Sequence, residues 1–241
     1  MKYSGTTIYS DRDDFGLVEV VDDITTRKMY FDSPIEQSCI FLNAPMSLNF
    51  EYQEKIIQQL IRFSEQQKKH KPLRALMLGM GGGSMAHHLY HTIPNLQMTV
   101  VELRQIVIDC AYRFFQLPDV PEIEALEDDA IQFIADNTHN YDVIIVDIFD
   151  AQGLPSALSN SEFHENISQS INSPGLVIFN LWHKWNEQQN SKKLVPTEET
   201  QEVVNFWQDF TNDNTGYELN RYNIQSSQNL ILEVLNLNKK T

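Results

Sequence analysis

Glu102, Asp129, Asp147 and Asp150 are the side chains of this sequence best placed to do chemistry. A carboxylate in a cleft holds an amine through charge-assisted hydrogen bonds and accepts the proton the amine loses as it attacks carbon. Four carboxylates around one crevice repel each other unless a cation or several hydrogen-bond donors sit among them, so the cluster calls for an amine ligand. Asp147 and Asp150 also admit a plainer reading as a strand-end turn in which Asp150 caps the next segment. Asp129 likewise serves as an N-cap for a helix beginning at Ala130, a role compatible with binding a nucleobase.

The elements that position these groups are legible around them. Leu76-Met77-Leu78 is an apolar strand running into Gly79-Met80-Gly81-Gly82-Gly83-Ser84, and Val100-Val101-Glu102 ends the next strand about 20 residues on. A strand, a glycine turn and a second strand ending in an acid is how a doubly wound α/β sheet holds an adenosine, the acid accepting from both ribose hydroxyls. Glycines let the backbone turn sharply and approach the ligand where a Cβ would collide. The ligand implied is a nucleoside; this geometry alone leaves a dinucleotide and S-adenosylmethionine both open.

Around that nucleus strands and helices alternate. Strands are expected at Ala75 to Leu78, Gln97 to Glu102, Ile123 to Leu126, Tyr141 to Val146 and Leu176 to Asn180. Helices are expected at Ser84 to Tyr90, Ile106 to Phe115, Ala130 to Asp136, Ser161 to Ile171 and Thr200 to Phe210. Pro174-Gly175 reads as the turn into one strand, and Tyr217 to Tyr222 with Asn229 to Leu235 as a closing pair. Such βαβ units imply right-handed crossovers and a mostly parallel sheet. Before them come short β-like segments, Leu17 to Val21, Lys28 to Phe31 and Ile35 to Ile40, then a helix from Phe50 to Glu65. Lys68 to Lys71 reads as a solvated turn closed by Pro72. The expected division is an N-terminal β unit over residues 1–48 and a Rossmann-like, methyltransferase-like domain over 49–241.

Composition narrows the partners. A formal net charge of -15 argues against nucleic acid or an anionic membrane, both of which need basic patches. No apolar run approaches the length of a membrane span and the first residues lack a secretory signal, so a cytoplasmic protein is expected. The two cysteines, Cys39 and Cys110, have no metal-ligand spacing and read as buried apolar residues. His87 and His91 have a chelating spacing without a third ligand, and with His88 are expected on a solvated helix face, so no metal is expected. Trp182 and His183, after a strand, either border the crevice or pack.

At nearly full length the chain resembles the polyamine aminopropyltransferases, the spermidine synthase family. The resemblance is carried by Ile35-Glu36-Gln37-Ser38, Phe50-Glu51-Tyr52-Gln53-Glu54, the glycine loop, Val101-Glu102, Asp128-Asp129-Ala130 and Tyr141 through Asp150. It implies that decarboxylated S-adenosylmethionine, or S-adenosylmethionine or methylthioadenosine, binds at Gln37, Gly79, Gly81, Gly82, Glu102, Asp129 and Ala130. It further implies that Tyr52, Gln53 and Asp150 border a polyamine acceptor, that Asp147 is the proton acceptor, and that the protein forms a homodimer. Two departures stand out. The family's loop aspartate, which grips the donor ammonium, aligns with Gly82, and the small hydroxyl residues between the two aspartates are Ile148 and Phe149, with Ala151 in place of a proline. Another carboxylate such as Glu36 would then have to substitute, or the Gly81-Gly82-Gly83 amides would favour the carboxylate of intact S-adenosylmethionine. The readings carried forward are aminopropyl transfer, methyl transfer on the same scaffold, and nucleoside or polyamine binding without catalysis; a NAD-dependent dehydrogenase fits poorly.

Overall fold

The computed structural model describes residues 4–67, 71–150, 153–185 and 194–237. The Lys-rich turn expected at Lys68 to Lys71 lies outside these residues except for Lys71, and Ala151 lies outside them too.

Four strands open the chain: β1 (Thr6–Asp13), β2 (Gly16–Asp22), β3 (Thr26–Phe31) and β4 (Glu36–Phe41). They form an antiparallel sheet in sequence order. Its apolar residues Val18, Val20, Met29 and Ile40 pack on Val107, Cys110 and Phe115 of the following domain. Arg104 bolts the same two parts together, donating to both carboxylate oxygens of Asp13 at 2.7 and 2.9 Å and to the Gly16 carbonyl at 2.9 Å.

The main sheet holds the parallel strands β5 (Leu73–Leu78), β6 (Leu96–Glu102), β7 (Ile123–Glu127), β8 (Tyr141–Val146) and β9 (Ile171–Trp185). The antiparallel strands β11 (Tyr217–Asn223) and β12 (Asn229–Asn236) continue it, and the short β10 (Leu194–Pro196) pairs with the end of β9. The order is β11-β12-β9-β8-β5-β6-β7. Strand side chains alternate between the two faces. Ala75 and Met77 point toward helices α1 (Glu51–Gln66), α2 (Ser84–Thr92) and α3 (Gln105–Phe114), whereas Leu76 and Leu78 point toward α4 (Ala130–Asp136), α5 (Ser161–Ser170) and α6 (Glu198–Asp213). The direction of winding reverses between β5 and β8, so a crevice opens past their carboxyl ends, where doubly wound sheets take their ligands.

The expected turn at Pro174-Gly175 is a bulge inside one long strand. Tyr141 pairs with Ile171 and Val143 with Leu176, leaving residues 172–175 opposite Asp142 alone. Asp142 fastens the bulge by accepting from Asn172 Nδ2 and the Arg74 amide, both at 2.9 Å. Helix α5 accordingly stops at Ser170, one residue before the expected end. Trp182 and His183 do not follow β9 but lie within it. His87, expected on a solvated face, is 7% exposed with its Nδ1 unpartnered, its ring 5.1 Å from that of His91, which is exposed. Cys39 and Cys110 are both buried.

Candidate functional site

The crevice is a cavity of about 1010 Å³, and it gathers Gln37, Tyr52, Gln53, Gly79, Gly81, Glu102, Asp129, Ala130, Asp147 and Asp150 from separate elements. Its floor is set by the backbone. Gly79, at φ +91°, approaches so closely that a Cβ there would lie 2.1 Å from the Asp147 carbonyl oxygen. The Gly79 amide donates to the Val101 carbonyl and the Asp147 amide to the Leu78 carbonyl, each at 2.8 Å. The ends of β5, β6 and β8 are thereby locked in register.

At one end Glu102 closes β6. Its Oε2 accepts from the Met80 amide at 3.1 Å and its Oε1 from the Arg104 amide at 3.2 Å. Burial pushes its carboxyl above the ordinary value, with the Met80, Arg104 and Gly81 amides pulling the other way. Asp129 caps α4, its Oδ1 accepting from the Ile131 amide at 2.7 Å, which leaves Oδ2 and the neighbouring Ala130 at the cavity wall. The two acids and Gln37 thus border the same cavity.

At the other end Asp147 follows β8. Its Oδ1 accepts from Asn180 Nδ2 at 2.8 Å. Burial raises its pKa to about 6, opposed by that hydrogen bond. Tyr52, stacked on Phe50 with ring centroids 5.7 Å apart, faces it. Burial raises the phenol far above its usual value, and the charge of Asp147 raises it further. Gln53 is 6% exposed with Oε1 unpartnered, and Ser84, at the start of α2, is 8% exposed with Oγ unpartnered. Both residues belong to the cavity wall, but these two oxygens are turned into the protein, away from the open space.

Three sequence expectations need correction. Gly82 does not line the cavity: its amide donates to Ser38 Oγ at 2.6 Å, and a Cβ there would lie 2.8 Å from Phe115 Cδ1. The Gly81-Gly82-Gly83 amides are not an anion cradle for a ligand either. Gly83 donates to the Met80 carbonyl at 3.0 Å, and the Gly81 amide is directed at Glu102. Glu36 is no spare carboxylate, because Lys28 Nζ holds it at 2.5 Å. Asp150 reaches the cavity wall, but its Oδ1 accepts from the Gly153 amide at 2.9 Å, so it also ties its own loop.

Several cavity residues escaped the sequence reading. Ser38 secures the glycine loop, Ala157 and Leu158 come from a 3-10 turn at Ser156–Ser159, and Ser227, Gln228 and Asn229 come from the hairpin between β11 and β12. Asn180 carried a signal, as the polar residue inside Leu176-Val177-Ile178-Phe179-Asn180-Leu181, a run otherwise apolar. Trp182 borders the cavity and meets Phe149 edge-on at 6.0 Å.

The family model for the spermine/spermidine synthase domain matches residues 49–205. A polyamine aminopropyltransferase of Neisseria meningitidis serogroup A is 28% identical over 169 residues, 70% of this chain and 62% of the relative. One from Chromobacterium violaceum is 27% identical over 166 residues, 68% of this chain and 61% of the relative. The match thus spans less than two thirds of these relatives' length. A crystal structure of a probable spermidine synthase from Corynebacterium glutamicum superposes with a TM-score of 0.75 at 20% identity, over 96% of this chain and 80% of that one. Human methyltransferase-like protein 13, in complex with SAH, superposes with a TM-score of 0.61 at 19% identity, over 80% of this chain and 84% of that one.

Proposed function

The chain belongs to the spermine/spermidine synthase family, and on that premise we propose that it transfers an aminopropyl group from decarboxylated S-adenosylmethionine to the nitrogen of a polyamine. The observation that carries the reading is that Asp147 and Glu102, at the ends of β8 and β6 on either side of β5, line one cavity together with Tyr52, Gln53 and Asp129.

The donor supplies an electrophilic carbon attached to a sulfonium, which leaves as a neutral thioether when the amine nitrogen bonds to that carbon. Glu102 holds the ribose hydroxyls, and Asp129 with Ala130 borders the base. Asp147 is the proton acceptor: with a pKa of about 6 it is mostly ionised at neutral pH and takes the proton the attacking amine must shed. Asp150 and Phe149, with Trp182, border the acceptor chain.

A specific observation favours a second reading, methyl transfer from intact S-adenosylmethionine. Phe115 and Ser38 fill the side-chain space at Gly82, so no carboxylate stands there to select a tail that carries only an ammonium. Titration calorimetry with decarboxylated S-adenosylmethionine, S-adenosylmethionine and methylthioadenosine, followed by an amine turnover assay, decides between them. Preference for the decarboxylated donor with release of methylthioadenosine supports aminopropyl transfer. Preference for intact S-adenosylmethionine moves the chain to methyl transfer, and binding without turnover to a non-catalytic relative.

The same reading extends to a cytoplasmic homodimer with a domain boundary near residue 48. Among the described residues no helix is long and apolar enough to cross a membrane, and β1 lies at the edge of the N-terminal sheet, where a second copy would add. The net charge of -15 opposes nucleic acid as a partner. Light scattering of the purified chain tests the dimer.

A further inference from the structure

Asp147 does not stand alone at the end of β8. Behind it runs a file of hydrogen bonds that all donate in one direction. Ser227 Oγ donates to Asn229 Oδ1 at 2.6 Å, Asn229 Nδ2 to Asn180 Oδ1 at 2.8 Å, and Asn180 Nδ2 to Asp147 Oδ1 at 2.8 Å. Asn180 is 2% exposed, in the centre of β9, and Asn229 sits on the neighbouring strand opposite Trp182. Asn180 and Trp182 are two residues apart on one strand, so they share the face that lines the cavity.

We propose that Asn180 is the positioning residue for Asp147, with Asn229 and Ser227 fixing the direction of its amide so that Asp147 Oδ2 alone is presented to the attacking amine. The inference rests on the reading of Asp147 as proton acceptor. Three features support it. A reversed Asn180 would set its oxygen against the carboxylate and its nitrogen against the Asn229 amide, so the file holds one orientation. Each bond polarises the next toward the carboxylate, which favours its charged form. No hydrogen bond from the protein reaches Asp147 Oδ2 among the described residues, so that oxygen faces the cavity.

The ionisable groups that share the cavity with Asp147 come from several elements. Tyr52 and Glu51 come from α1, Asp150 from its own loop, Glu102 and Arg104 from the end of β6, and Asp129 from α4. Glu51 is occupied by the Ser226 amide and hydroxyl, Arg104 by Asp13, and Asp150 by the Gly153 amide. Glu36 and Asp32, from the N-terminal sheet, are paired with Lys28 and Arg12. His183 of β9 does not line the cavity. The contact Asp147 makes with β9 is therefore through a neutral amide, and its loss leaves a desolvated carboxylate without its donor.

The test is the pH dependence of kcat/KM for the full chain and its Asn180→Ala, Asn229→Ala and Ser227→Ala variants, alongside direct titration of the Asp147 carboxyl by carbon NMR without substrate. Asn180→Ala should move the acidic limb and the Asp147 titration upward by about one pH unit, since a hydrogen bond to a charged group is of that size. Asn229→Ala should move both the same way by less, and Asn180→Asp should not restore the original profile. Loss of turnover with the limb and the titration unmoved overturns the proposal, because a merely structural role predicts that pattern. If the unaltered chain turns over no amine, the functional reading fails, yet the NMR titration still decides whether Asn180 governs Asp147. Should Asn180→Ala fail to fold, the half-buried Asn229 and Ser227 carry the same test; an unmoved titration in both overturns it.

Discussion

Gly82 and Phe115 occupy one another's space: a Cβ on the glycine would lie 2.8 Å from the ring's Cδ1 and 3.0 Å from the Ser38 Cβ. Phe115 is fully buried at the seam between the N-terminal sheet and α3, so the ring has little room to retreat. Overfilling a packed seam typically costs about 1–3 kcal/mol. Gly82→Ala should lower the urea unfolding free energy by that amount, and Phe115→Leu in the same chain should return part of it. An unchanged midpoint for Gly82→Ala would show that the ring yields.

Asp147→Asn removes the proposed proton acceptor while keeping the side chain's size. Turnover of any amine should fall by about 10²- to 10⁴-fold, with donor affinity measured by calorimetry changed little. In the unaltered chain kcat/KM should rise through pH 6 as the carboxylate ionises. A profile flat from pH 5 to 8 would remove Asp147 from the role.

The same carboxyl makes stability depend on pH. Its pKa in the folded chain, about 6, lies above the ordinary 3.8, so the folded state binds the proton more tightly than the unfolded one. The stability this linkage provides is full below about pH 4 and is lost as pH rises through 6. Asp147→Asn should therefore gain about 1–3 kcal/mol over the unaltered chain between pH 4 and pH 8. Urea unfolding at the two pH values measures the difference; equal offsets at both would contradict it.

Phe149 stands where a small hydroxyl residue would leave the acceptor channel wider, and its ring rests edge-on against Trp182. Phe149→Ser should change KM for a linear diamine by about tenfold, one methylene-scale contact or two in a pocket, and leave the donor dissociation constant alone. Equal changes in both constants would place the ring in the donor site instead.

Asp13 grips Arg104 with both oxygens, and Arg104 is 7% exposed. Asp13→Ala strands a desolvated guanidinium that keeps its bond to the Gly16 carbonyl. The expected cost is about 1.5–3 kcal/mol, the range for hydrogen bonds to charged groups. Thermal unfolding of the variant checks it, and no loss of Tm would mean the N-terminal sheet is held by its apolar seam alone.

The fold was legible because apolar period and punctuation agree along the chain: Leu76 and Leu78 alternate with Ala75 and Met77, and Asp129, Asn160 and Thr197 each cap the helix that follows them. The positions of Glu102 and Asp147 at strand ends followed from the same signals. What stayed hidden depends on contacts between distant segments. Nothing in Gly82 announces that Phe115, more than thirty residues later, closes its space. Pro174-Gly175 marked the irregularity, but whether it is a turn before the strand or a bulge inside it depends on the register β9 takes on β8. His87 escaped for the same reason: a polar residue's exposure on a short helix is decided by what packs over it.

The close approach of Gly79 to the Asp147 carbonyl ties the glycine loop to the end of β8. A cavity floor built this way has no hinge of its own. Any closing motion that accompanies ligand entry is then left to the rim outside these contacts, the 3-10 turn at Ser156–Ser159 and the hairpin bearing Ser226 and Ser227. On the proposed reading, the floor sets the distance between donor carbon and Asp147, and the rim governs how long the reactants stay.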